Sequence, residues 1–198
     1  MPILKFPQVP KSLPTLQQTL DKQANVQRVK TPGGKAGNMA TLKMMREKAR
    51  EFRGDPTVRA VALNVIKRAM VPSHDYLGEA RALARFVQAG VRYVKDATGV
   101  EQIHSPVLML RQIAAQTCQA DCDDQALLLA TLLLSVGHAP KFRVVRYKGT
   151  SGGYNHIYVV EYFPQKGKEP LRFVMDPILK DKPIGFEVPH ASGDEISV

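Results

Sequence analysis

The feature that most constrains the fold is an apolar run too continuous for one face of a surface helix. Residues 126–134 read Ala-Leu-Leu-Leu-Ala-Thr-Leu-Leu-Leu, with apolar side chains at nearly every position. A helix that is apolar on all sides is stable in water only when other elements enclose it. Gly137 follows, and glycine is common just after a helix C-terminus. The sequence therefore predicts a central, enclosed helix that ends near Gly137.

A cysteine stands at the predicted start of this helix. Cys122 is followed at once by Asp123 and Asp124, and acidic residues favour the positive end of the helix dipole. A thiol in the first turn lies near backbone N–H groups that have no intrahelical partner, and these favour the thiolate. Cys122 is therefore a candidate nucleophile. The competing interpretation is a buried structural cysteine, because free cysteines are often buried and inert.

A nucleophilic cysteine needs a base and a group that orients the base, and candidates for both lie downstream. His156 falls in residues 155–163, which alternate as a strand does. Asp176 ends the next apolar segment, and Pro177 closes that strand. The chain order is thus a cysteine at a helix start, a histidine on one strand and an aspartate at the end of the next.

This order resembles the transglutaminase-like superfamily of papain-fold cysteine enzymes. The Asp-Cys-Asp-Asp form is most similar to the small members of bacteriophage genomes. The resemblance covers residues 80–180, and many members have glycine where this chain has Ala120. The matching segments are Asp121-Cys122-Asp123-Asp124, Gly137, His156 and Asp176-Pro177, with Tyr93-Val94-Lys95-Asp96 and Ser105-Pro106 upstream.

The resemblance implies a role for each matching residue. Cys122 would be the nucleophile, His156 the base and Asp176 the group that orients the base. In papain-like sites a glutamine six residues before the cysteine donates to the oxyanion, which suggests Gln116 for that role. The backbone N–H of Cys122 is the second candidate donor.

Two functions of different classes follow from these residues. The first is a cysteine hydrolase or acyltransferase that acts on amide bonds as a peptidase, amidase or deamidase, with no metal or organic cofactor. In a phage setting its substrate would be a protein or peptide, such as a cell-wall peptide. The second is a structural or docking component of a phage head or tail that keeps the fold with little or no activity. Both would be made in the host cytoplasm, and either could be carried on the virion.

The order of predicted elements indicates an α+β chain, because helices come first and antiparallel strands later. The expected fold is papain-like, with N-terminal helices and a buried helix packed on an antiparallel sheet. We expect four parts: an extended basic arm (1–38), a basic helical lead-in (39–75), a catalytic-type domain (76–181) and a polar C-terminal tail (182–198). Helices are expected at 39–53, 57–70, 76–90 and 106–115, and strands at 141–147, 155–163 and 171–176.

The positive charge is confined to the front of the chain. The net charge is +10, yet residues 69–198 hold equal numbers of acidic and basic residues. A basic leader suits an acidic partner, and residues 1–38 are expected to dock on other virion proteins. Tyrosines 154, 158 and 162 share a strand face without base-reading residues, so nucleic-acid binding by the catalytic domain is not expected. No segment is long enough to span a membrane, and prolines interrupt the region where a secretory signal would lie.

The remaining cysteine and histidines give weaker signals. Cys118 and Cys122 with His138 or His156 could form a zinc site, but their spacing is not Cys-x2-Cys and a second ligand pair is missing. Cys118 is expected to be a packed thiol. The other histidines (His74, His104, His138 and His190) are expected at the surface or in loops.

Overall fold

The computed structural model describes residues 26–29, 34–96, 101–150 and 153–198. These residues form five helices and eight strands, numbered here in chain order. The helices are α1 (Gly34–Phe52), α2 (Pro56–Arg68), α3 (Tyr76–Gly90), α4 (Pro106–Ala114) and α5 (Cys122–Ser135). The strands are β1 (Gln27–Val29), β2 (Arg92–Tyr93), β3 (Glu101–Ile103), β4 (Gln119–Ala120), β5 (Lys141–Tyr147), β6 (His156–Gln165), β7 (Lys168–Met175) and β8 (His190–Ser197).

Helix α5 is the centre of the fold, as the apolar run predicts. All of its residues from Asp124 to Leu133 are buried. Helices α1 to α4 contact it on one side, and strands β5 and β6 contact it on the other. Gly137 has a φ of 97°, which an L side chain rarely adopts, so the chain leaves the helix through a left-handed turn. The prediction of a central enclosed helix is confirmed.

The helical lead-in belongs to the same core as α5. Leu42, Met45, Ala49 and Phe52 of α1 are buried together with the leucines of α5. Asp55 caps α2 by accepting hydrogen bonds from the N–H groups of Thr57 and Val58, and Pro56 occupies the first turn, as expected. The predicted boundary at residue 75 therefore does not divide the core, because α1 and α2 pack on α5 and on helices α3 and α4 beyond that boundary.

One antiparallel sheet covers the other side of α5. Its strand order is β7-β6-β5-β8. Its inner face contributes Phe142, Val144, Ile157, Val159, Phe173 and Met175 to the main core, while Val145, Tyr158, Val160 and Val174 form a smaller cluster on the outer face. Period-two alternation in β5 and β6 separates the two faces. Five helices with an antiparallel sheet confirm the α+β class.

The C-terminal segment is not a tail throughout, which corrects the expected polar tail at 182–198. Strand β8 pairs with β5 from Ser197 opposite Lys141 to His190 opposite Tyr147. A Cβ on Gly193 would lie 2.5 Å from the carbonyl oxygen of Val144, so only glycine allows this close pairing. The segment looked polar in the sequence because β8 is an edge strand. Its backbone hydrogen bonds, more than apolar burial, join it to the sheet.

The expected arm boundary at residue 38 also needs correction. Strand β1 pairs antiparallel with β3, with Gln27 opposite Ile103. Helix α1 already begins at Gly34, and the Asn38 side chain donates to the carbonyl oxygen of Tyr154. Residues 1–25 and 30–33, which hold most of the expected arm, lie outside the described residues. No helix in the described part of the chain has the length and apolarity that a membrane span requires.

Candidate functional site

The helix start that carries Cys122 is fixed by the residue before it. Asp121 is the N-cap of α5, and its Oδ1 accepts hydrogen bonds from the N–H groups of Asp123 at 3.1 Å and Asp124 at 3.3 Å. Ala120 pairs in parallel with Tyr93, and its carbonyl oxygen accepts from the Val94 N–H. Cys122 is half-buried in the first turn of α5. Two short strands and a cap therefore place the thiol at the edge of the core.

The predicted base and its orienting group are in direct contact. The His156 Nε2 and Asp176 Oδ2 atoms lie 2.6 Å apart, and both side chains are almost fully buried. Asp176 is held in turn, because its Oδ1 accepts a hydrogen bond from the Ile178 N–H at 3.3 Å. A carboxylate at Nε2 requires a proton on that nitrogen, which makes Nδ1 the acceptor. Nδ1 makes no hydrogen bond to any described residue, so it is available as a base.

The Cys122 sulfur lies at the start of the strand that carries His156. The backbone N–H of Ile157, the residue after His156, lies close enough to this sulfur to lower the pKa of the thiol. Tyr147 connects the group further, because its ring stacks on His156 at 5.4 Å and its hydroxyl interacts electrostatically with Asp176 and Cys122. The fold thus brings the three predicted residues to one place. The thiol itself donates to the Asp123 Oδ1 at 3.4 Å, and no direct hydrogen bond joins it to the described His156 ring.

The electrostatic environment of the thiol differs from the one predicted. Burial raises the pKa of Cys122 well above its ordinary value, and the carboxylates of Asp123 and Asp121 raise it further. The N–H of Ile157 has the opposite effect and lowers the pKa of Cys122. Burial also raises the pKa of Asp121 to about 8, together with repulsion from Asp123 and Asp124. The acidic residues that favour the helix start therefore oppose the thiolate, a conflict that the sequence pattern did not reveal.

The two candidate oxyanion donors have different surroundings. The backbone N–H of Cys122 makes no hydrogen bond to a described residue, so it is available to a ligand. Gln116 is exposed in the turn after α4, with a left-handed φ of 59°. Its side chain makes no hydrogen bond to Cys122 or to any other described residue. The role of Gln116 stays a prediction.

A second histidine–aspartate pair supports the same helix start. Asp124 is 1% exposed and accepts hydrogen bonds from the backbone N–H and the Nδ1 of His104. The hydrogen bond with Asp124 raises the pKa of His104, although burial opposes this. His104 was expected in a loop without a role. The available signal was Asp124 itself, because a carboxylate at the start of a fully apolar helix must be buried and needs a partner.

Among the histidines, the environment of His138 differs most from the sequence prediction. It was expected at the surface or in a loop, and it does lie in the loop after α5, but its ring is buried between Glu161 and Glu79, with nitrogen–oxygen distances of 3.0 to 3.1 Å. Nothing in the local sequence pairs these residues, because the two glutamates lie 59 residues before and 23 residues after His138.

Cys118 has the character of an inert thiol. It is buried, and desolvation together with the charge of Asp124 raises its pKa to about 12. Within the described ranges, no three His, Cys, Asp or Glu side chains are grouped as a metal site would require.

Comparisons with known proteins give no significant match for this chain. No protein-family model matches the sequence, no curated protein is similar to it, and no solved structure is similar to its fold.

Proposed function

We propose that this protein is a transglutaminase-like cysteine hydrolase or acyltransferase with a papain-like fold, acting on amide bonds. The observation that carries the proposal is the buried His156–Asp176 pair, in which His156 precedes the residue whose N–H interacts with the sulfur of Cys122. A histidine oriented by a carboxylate, with its second nitrogen unpaired, is the partner that a cysteine nucleophile requires. The helix start adds an unpaired N–H at the position where an oxyanion forms.

The chemistry follows from these positions. Nδ1 of His156 takes the thiol proton as the Cys122 sulfur bonds to the carbonyl carbon, and the carbonyl oxygen becomes an oxyanion near the Cys122 N–H. Asp176 stabilises the imidazolium and keeps its orientation. The imidazolium then gives its proton to the leaving amine, the C–N bond breaks, and an acyl-enzyme forms. Water or a second amine attacks the acyl-enzyme with His156 as base, which releases an acid or a new amide and restores the thiol.

The raised pKa of Cys122 determines the resting state in this mechanism. The raised pKa favours the thiol over the thiolate, so transfer of the proton to His156 accompanies the attack on the substrate carbonyl. Binding of a substrate carbonyl displaces the weak thiol contact with Asp123. We therefore expect Cys122 to react faster with alkylating reagents as pH rises.

The substrate and biological setting belong to the same proposal. A protein or peptide amide is the expected substrate, and a cell-wall peptide or virion protein is the expected target in a phage. The concentration of basic residues in 1–68 suits docking on an acidic virion protein. The protein would be synthesised in the host cytoplasm and carried on the particle.

The test is thiol alkylation by iodoacetamide across pH, followed by mass spectrometry of each cysteine. We expect modification of Cys122 and not of Cys118, and a rate that falls at least tenfold in His156→Gln, since general-base assistance contributes about 10²–10⁴-fold. His190→Gln serves as the control histidine variant and Asp194→Asn as the control for Asp176→Asn. Amide cleavage or amine transfer should be lost in Cys122→Ala. Equal rates in the wild type and His156→Gln would refute the proposal.

The second candidate is a structural or docking component without activity. The observation in its favour is that the thiol donates to Asp123 instead of His156, while burial raises its pKa. The same alkylation experiment separates the two functions. A scaffold predicts slow modification of Cys122 that is unchanged by His156→Gln.

A further inference from the structure

The ring of His156 lies between two tyrosine rings on the outer face of the sheet. Tyr147 stacks on it, with ring centroids 5.4 Å apart and an interplanar angle of 24°. Tyr158 packs against it at 5.5 Å with an angle of 37°. The mechanism described above gives neither tyrosine a role.

The strand register places the two tyrosines on opposite sides of the histidine. In the β5–β6 pair, His156 is opposite Val145 and Tyr158 is opposite Arg143. Tyr147 is two residues beyond Val145 in the other direction along β5, so the two rings flank His156 along the strand axis. Such a pair restricts rotation of the imidazole about its side-chain bonds.

We infer that Tyr147 and Tyr158, named here the tyrosine clamp, position the ring of His156 toward Asp176. The inference rests on the proposed function for its meaning in catalysis, but its structural part can be tested separately. The clamp residues are positioning residues, because they act through His156.

A polar network on the same face fixes one half of the clamp. Tyr158 is 1% exposed, and its hydroxyl donates to Glu187. Arg172 donates two hydrogen bonds of 2.9 Å to the carboxylate of Glu187, and its Nε donates to Glu195, also at 2.9 Å. A buried tyrosine hydroxyl needs a partner, and a bidentate arginine–carboxylate pair fixes that partner in one orientation.

The second half of the clamp is held through the backbone. The Tyr147 N–H donates to the Asn155 side chain at 3.1 Å, and Asn155 Nδ2 donates to the hydroxyl of Thr150 at 2.8 Å. The turn before β6 is therefore tied to the end of β5. This tie fixes the distance between Tyr147 and the strand that begins at His156.

Tyr162 supplies a matched control for Tyr158. It lies on the same strand and face, and its hydroxyl donates to a glutamate, Glu195, at 2.8 Å. It makes no ring contact with His156. Tyr158→Phe and Tyr162→Phe thus remove the same group from two places, and only the first place touches the histidine.

The experiment follows the His156 Nε2 proton by NMR, as a low-field imidazole resonance assigned by its loss in Asp176→Asn and His156→Gln. Tyr158→Phe, Tyr158→Leu and Tyr147→Leu are expected to broaden or shift this resonance, and Tyr162→Phe to leave it unchanged. His156-dependent alkylation of Cys122 should slow by roughly 2- to 10-fold in Tyr158→Leu and in Tyr147→Leu, because each removes one aromatic contact with His156. Thermal unfolding of each variant identifies any that fail to fold.

The outcomes separate the clamp from the proposed function. An unchanged resonance and rate in Tyr158→Leu and Tyr147→Leu overturns the clamp, as does a lowered melting temperature with an unchanged resonance. Tyr158→Phe keeps the ring contact and removes only the hydroxyl bonded to Glu187, so Tyr147→Leu decides the test if Tyr158→Leu does not fold. If alkylation in the wild type does not depend on His156, the proposed function fails, while the resonance still tests the clamp.

Discussion

Replacement of His138 tests the buried charge cluster that its imidazole forms with Glu79 and Glu161. The imidazole is 2% exposed, and its two nitrogens lie 3.0 Å from Glu161 and 3.1 Å from Glu79. Glu161 also accepts the Ala139 N–H at 2.9 Å. The cluster joins α3, the turn after α5 and strand β6. His138→Leu would leave two carboxylates facing each other without a cation.

The expected cost of His138→Leu at about pH 6 is roughly 3 kcal/mol of unfolding free energy. Removing one partner of a buried ion pair typically costs about 3–5 kcal/mol. The lower end applies because Glu79 is 18% exposed and Glu161 keeps its bond to Ala139. Both features allow the carboxylates to remain partly solvated after the imidazole is lost.

The stability cost of His138→Leu should decrease as pH rises. Burial lowers the pKa of His138, but the hydrogen bonds and charges of Glu161 and Glu79 outweigh it and raise the pKa above the ordinary 6.5. A group whose folded pKa is raised contributes its full stability below the unfolded pKa and loses it as pH rises through the folded pKa. The difference in unfolding free energy between the wild type and His138→Leu should therefore be largest below about pH 6.5 and should decrease above it.

The assay is chemical denaturation at several pH values from about 5.5 to 9, spanning the ordinary histidine pKa. His74→Asn is the control, because His74 is exposed and its left-handed φ of 66° is tolerated by asparagine. The control should show no pH-dependent gap. If the difference in unfolding free energy between the wild type and His138→Leu stays constant or increases as pH rises, the two glutamates do not hold the imidazole as a cation.

Three further predictions concern stability. Cys122→Ala should lower the free energy of unfolding by about 1 kcal/mol or less, and Leu129→Ala by about 2–5 kcal/mol, because Leu129 is fully enclosed. If denaturant unfolds both variants at the same low midpoint, Cys122 is a structural cysteine. Gly137→Ala should lower the free energy of unfolding by roughly 1 kcal/mol or more because the φ of Gly137 is 97°, whereas Gly54→Ala should be tolerated because its Cβ would enter open space. Equal melting temperatures of the two variants would contradict this. Deleting residues 190–198 should lower the melting temperature strongly because β5 loses its edge partner, and an unchanged melting curve would mean that β8 adds no stability.

The prediction from sequence succeeded where neighbouring residues decide the structure. The all-round apolar run allowed only an enclosed helix, and α5 begins at Cys122 and ends two residues before Gly137. The Asp55-Pro56 pair fixed the start of α2 in the same way. Strand β5 begins and ends at the predicted residues 141 and 147, because its alternation is clear and its neighbours break it. Caps, periodicity and turn residues act within a few positions, so the sequence displays them directly.

Contacts between distant residues were decided by the packing of elements. The sequence named His156 and Asp176 but could not place them 2.6 Å apart. It gave no sign that His138 meets Glu79 and Glu161, or that the polar C-terminal segment pairs with β5. It also predicted an activated thiol from the helix start, whereas the pKa of Cys122 is raised by burial and by Asp123 and Asp121. Desolvation and charge–charge distances depend on which surfaces the fold brings together, and only the tertiary structure sets them.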